Sequence, residues 1–102
     1  MPNDEIYALK DRFVEQLAPL KVYLFGSYAY GTPNADSDYD FYIVVDDSRT
    51  NWHEETVKAY KAVHDRSRPI DILVGTESKF EKRKNLPTIE REVFQKGVLL
   101  YG

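Results

Sequence analysis

The sequence predicts an α/β (α+β) domain, a small mixed β-sheet flanked by helices, from three observations. Segments whose apolar residues recur at helical spacing alternate with short runs rich in β-branched and aromatic residues. Gly26, Gly31, Pro69 and Gly75 punctuate the changes from one kind to the other. A length of 102 residues with 42% hydrophobic residues suits one core, hence one domain over residues 1–102.

Asn3 is placed to cap a helix carrying Ile6, Leu9, Phe13 and Leu17, which Pro19 should stop. Lys21 to Phe25 reads as a strand. Gly26 and Ser27 break it, with Ser27 as N-cap of a short helical turn, and Gly31 to Asn34 form a loop. From Asp38 to Val45 a second strand is apolar on both faces after Asp40, the mark of a central strand. Thr50 to Ser67 reads as a helix with a Val57, Tyr60, Val63 stripe, and Ile70 to Val74 as a third strand ending at Gly75. Ser78 and Glu81 fit a capping box, Thr88 caps a further helix with Ile89, Val93 and Phe94, and Val98 to Tyr101 adds a last short strand.

Composition removes several classes of function. There is no cysteine, so disulfides and thiolate chemistry are out. A net charge of -3 gives no general attraction for nucleic acid, and no direct nucleic-acid contact is expected. Charged residues make up 30%, no apolar run reaches the roughly 20 residues of a membrane span, and the start MPNDEIYALKDRF lacks a signal-peptide pattern, so a cytoplasmic protein without membrane contact is expected.

The chemistry is concentrated in acids. Side chains alternate along a strand, so Asp38 and Asp40 share a face with Cα atoms roughly 6.6 Å apart. Asp71, between Ile70 and Ile72, would join them if the third strand lies beside the second. An unpaired carboxylate inside a strand is costly, and three converging ones suit a hard cation such as Mg²⁺ that shares its shell with phosphates. Gly26 would let a phosphate approach the backbone, and Ser27 would add a hydroxyl at the following helix start.

Plainer roles compete. A calcium loop needs a turning glycine where Phe41 stands. Asp36 fits a solvated turn. His53 and His64 have no partner at metal-ligand spacing, and Trp52 and the tyrosine stripe fit the core. Tyr28, Tyr30 and Tyr39 surround the expected cleft and offer faces to a base. The run Lys79 to Lys84 fits a solvated helix face or a partner-binding patch.

The stretch GSYAYGTPNADSDYDFYIVV, the later Asp71 and the end LPTIEREVFQKGVLLYG resemble the nucleotidyltransferase superfamily that includes DNA polymerase β, most closely its minimal nucleotidyltransferases. The resemblance implies a polymerase β-like fold in which Asp38 and Asp40 hold two Mg²⁺ ions, with Mn²⁺ the alternative. Asp71 would ligate the catalytic metal and help deprotonate the attacking hydroxyl. Gly26 and Ser27 would hold the triphosphate of ATP or another NTP. It further implies transfer of a nucleoside monophosphate, AMP in the simplest case, to a tyrosine of a helical HEPN toxin, which makes the chain an antitoxin in a toxin–antitoxin pair. Many members read Gly-Ser-x-Ala-Arg-Gly, whereas this chain has Tyr30 in place of the arginine. The alternative is a module that neutralises a toxin by contact alone. The HEPN ribonuclease itself is excluded, because Arg49 and His53 have only three residues between them, too few for its Arg-x4-6-His motif.

Overall fold

Asn3 opens the first helix as expected, its side chain accepting the Ile6 N–H at 2.9 Å, in a computed structural model that describes residues 2–34 and 36–102. Helix α1 (Asp4–Leu17) ends at Ala18, whose left-handed conformation (φ 46) turns the chain ahead of Pro19. Strand β1 (Lys21–Phe25), the four-residue helix α2 (Ser27–Tyr30) and strand β2 (Tyr39–Val45) follow. Next come α3 (Trp52–Ala62), β3 (Ile70–Thr76), α4 (Glu77–Arg83), α5 (Ile89–Lys96) and β4 (Val98–Tyr101).

The strands form one mixed sheet in the order β3-β2-β1-β4. β1 is antiparallel to both neighbours, and β2 is parallel to β3. The helical crossover through α3 is what a parallel pair requires. The central position of β2 explains its almost unbroken burial.

Period-two alternation divides the core between the two faces. Val22, Leu24, Phe41, Ile43 and Val45 pack with α1 and α3 residues, among them Phe13, whose ring meets Phe41 edge-on at 5.0 Å. Both phenylalanines are fully buried, so truncating either to alanine would cost about 3–5 kcal/mol. On the other face Tyr23, Phe25, Tyr42 and Val44 pack against Phe80 of α4 and Val93 of α5.

Several local expectations shift. α3 begins after Asn51, whose side chain accepts the Glu54 N–H, and ends at Ala62 rather than reaching back to Thr50 and on to Ser67. Its buried residues are Glu55 and Ala59, continued by Val63, while Val57 and Trp52 lie outside at 37% and 66% exposure. The apolar stripe misled because the inward acid, Glu55, is neutralised by Arg49 at 3.1 Å, a pairing that periodicity cannot see. β3 continues through Gly75, so Thr76 caps α4, accepting the Lys79 N–H, and Ser78 instead bonds Asp47.

Candidate active site

The acids gather where the sheet's α5-side face meets the start of β2 and β3. Asp40 pairs in register with Phe25 on one side and Asp71 on the other, so neighbouring strands present the two carboxylates on one face. Asp38 lies two residues earlier, just outside β2, and is exposed like Asp71. The β3 position is at the sheet edge, which explains how a strand tolerates Asp71 between two isoleucines: its side chain is in water. Asp40 is half-buried, and its carboxyl is pushed up to about 6, first by burial and then by the charges of Asp71, Asp38 and Glu92.

Gly26 closes the β1 side. With φ +74 it occupies a conformation that other residues rarely adopt, and a Cβ there would collide with Asp40 Oδ2. It is also the N-cap of α2, so Ser27 is the first helical residue rather than the cap. The Ala29 and Tyr30 N–H groups return to the Gly26 carbonyl at 3.0 Å. Those of Ser27 and Tyr28 open the helix and have no intrahelical acceptor. Backbone donors therefore stand beside a carboxylate cluster, and the missing side chain at Gly26 is what lets Asp40 pack against that turn.

The strand entries are locked from the opposite face. Tyr39, 2% exposed, donates its hydroxyl to Glu5 at 2.6 Å and receives Asn3 Nδ2 at 3.3 Å. Ser67 donates its N–H and hydroxyl to the same Glu5 carboxylate at 3.0 and 2.5 Å. These bonds, led by the Ser67 hydroxyl, hold Glu5 below the usual glutamate range. Tyr28 packs edge-on against Tyr39 at 4.8 Å, with the Arg68 guanidinium 5.9 Å from its ring centroid. Tyr39 is therefore structural, which corrects the expectation that it lines the cleft, whereas Tyr30 is 38% exposed and stays beside the acids.

The donor chemistry suits a hard divalent cation, since Asp38, Asp40 and Asp71 offer only carboxylate oxygens. Among the described residues, no three His, Cys, Asp or Glu side chains are gathered tightly enough to form a preformed metal shell. The two exposed acids would close on a cation by side-chain rotation, while Asp40 lies half-buried against Gly26.

The family model for the nucleotidyltransferase domain matches residues 6–100. The chain belongs to the nucleotidyltransferase domain family. Solved structures share the fold of this nucleotidyltransferase domain. A candidate nucleotidyltransferase from Sulfolobus solfataricus aligns with a TM-score of 0.62 and 22% identity over 93% of this chain and 78% of its own. A toxin–antitoxin complex with AMP-PNP gives 0.58 and 22% over 94% and 73%. The toxin–antitoxin MntA-HpeT, in a variant with two aspartates two positions apart changed to glutamate, gives 0.57 and 21% over 100% and 74%. No curated protein matches in sequence.

Glu92 is the site residue that sequence reasoning missed. It lies on α5 close enough for its charge to raise Asp40. Burial first, and then the neighbouring Glu92 carboxylate, raise the Tyr30 hydroxyl above its ordinary value. Glu92 precedes the buried Val93, so the helix pattern placed it near the core boundary. Only the packing of α5 beside β1 brings it to the acids.

Proposed function

We propose that this nucleotidyltransferase domain transfers AMP from ATP to a tyrosine hydroxyl of a helical HEPN-type toxin, and so acts as its antitoxin. The observation that carries the proposal is Asp40, packed against Gly26, where a side chain would displace it, and in register with a second carboxylate, Asp71, at the open edge of the sheet. The structural neighbours include toxin–antitoxin complexes, one of them with an ATP analogue. In the MntA-HpeT variant the altered aspartates have the spacing of Asp38 and Asp40 here.

Gly26 accommodates the triphosphate against its backbone, with the Ser27 and Tyr28 N–H groups and the Ser27 hydroxyl directed to its oxygens. Asp38, Asp40 and Asp71 would hold Mg²⁺ or Mn²⁺, which supplies charge neutralisation at the leaving oxygens and activation of the attacking hydroxyl. Asp71, on the edge strand, orients the acceptor and takes its proton. The tyrosine oxygen bonds to the α-phosphorus, the bond to the β-phosphate oxygen breaks, and pyrophosphate leaves.

Incubation with α-labelled ATP, Mg²⁺ and the partner toxin tests this. Label should appear on the partner and be lost with Asp38→Asn or Asp40→Asn. Tyr30, which replaces a cationic side chain of many members, favours the alternative of neutralisation by contact. Protection of the partner by both variants without any label would establish that alternative.

A further inference from the structure

In-line displacement puts the incoming hydroxyl and the departing pyrophosphate on opposite sides of the α-phosphorus. Across the sheet, Gly26 at the end of β1, Asp40 on β2 and Asp71 on β3 follow one another towards the edge. With phosphate gripped at Gly26, the acceptor must arrive from the β3 side.

A recess of about 360 Å³ lies there, lined among others by Trp52, Leu73, Val74, Lys79, Arg83 and Ile89. Leu73 shares the sheet face of Asp71 two residues along β3, so the recess begins just beyond that acid, which does not itself line it. Trp52 and Ile89 are exposed at 66% and 39%, apolar surface that the core does not use. Lys79 adds positive charge beside it in a chain of net charge -3, whereas Arg83 is already paired with the Glu90 carboxylate that also lines the recess. The Ile72 N–H is already donated to Tyr60 Oη at 3.1 Å, so an incoming chain cannot pair along the whole edge and must be read through its side chains.

We propose that an extended segment of the acceptor protein docks in this recess, with an apolar anchor against Trp52 and an acidic residue facing Lys79. Its hydroxyl reaches Asp71 about three residues, or roughly 10 Å, from the anchor. The proposal rests on the nucleotidyl-transfer reading above and adds how the acceptor is chosen.

Trp52 is the single tryptophan of the chain, so its emission reports docking directly. The probes are a nine-residue peptide with leucine three residues from tyrosine and two flanking glutamates, and its counterpart with lysines in place of the glutamates. The glutamate peptide should shift Trp52 emission to the blue and bind about tenfold more tightly than the lysine peptide. Lys79→Glu and Thr56→Arg should each weaken it by about the same factor. An unresponsive tryptophan, equal binding of the two peptides, or the same shift with ATP alone, which would put the base in the recess, overturns the proposal. Labelled-ATP transfer to the same peptide separates the two readings. Docking without label removes the transfer reading and keeps the recess; label transferred undiminished by Thr56→Arg removes the recess and keeps transfer.

Discussion

Glu90 and Asp40 are acids on the same side of the sheet, and they are treated in opposite ways. Glu90, 3% exposed, accepts the Arg83 Nε–H at 2.9 Å and the Tyr42 hydroxyl at 2.8 Å. Burial works to raise its carboxyl, but the bonds from Arg83 and Tyr42 outweigh it and leave it below the usual range. Asp40, two residues from Tyr42 along β2, is surrounded by Asp71, Asp38 and Glu92 and is pushed up to about 6. Neutralising a carboxylate is thus within this fold's means. An acid left unneutralised, as Asp40 is, is what a functional position would show, where stability is commonly given up.

The contrast breaks most sharply at Asp40 itself. If Asp40 holds the cation proposed above, Asp40→Asn should lower transfer about a thousandfold, as labelled-ATP assays would register. The same variant should raise the melting temperature at pH 7, because the repelled charge is gone. Glu90→Ala is expected to destabilise the fold by about 3 kcal/mol, since Arg83 and the Tyr42 hydroxyl lose their partner, and urea unfolding measures it. Gly26→Ala should cost about 2 kcal/mol, combining backbone strain with the clash against Asp40, and should impair transfer as well.

A smaller effect comes from pH. The folded Asp40 value lies above its ordinary 3.8, so its contribution to stability is fully present below pH 3.8 and is lost as pH rises through about 6. Wild-type stability should therefore increase by about 1 kcal/mol from pH 7 to pH 5, a figure reduced for partial exposure, and Asp40→Asn should abolish the increase. Glu90 works the other way: its contribution is fully present above the ordinary glutamate value of 4.5 and is lost as pH falls through its lowered folded value. Smallest of all, Trp52→Ala should change stability by less than about 0.5 kcal/mol, because the ring is mostly in solvent.

Much of this was legible in the sequence, for identifiable reasons. The first helix, the strands and the Thr88 cap follow from periodicity and capping, which are local properties. The facing of Asp40 and Asp71 needed one further assumption, that β2 and β3 are neighbours, and the parallel register confirms it. What stayed hidden depends on contacts across the fold. Glu55 reads as a solvent residue until Arg49 is seen beside it, and Trp52 reads as core until the start of α3 is fixed by Asn51. Glu92 reads as an ordinary helix acid until α5 is placed by β1.

The lock around Glu5 has a mechanical consequence. It ties the start of α1, the entry to β2 and the turn into β3 into a single rigid frame, so the strands bearing Asp40 and Asp71 cannot slide past each other.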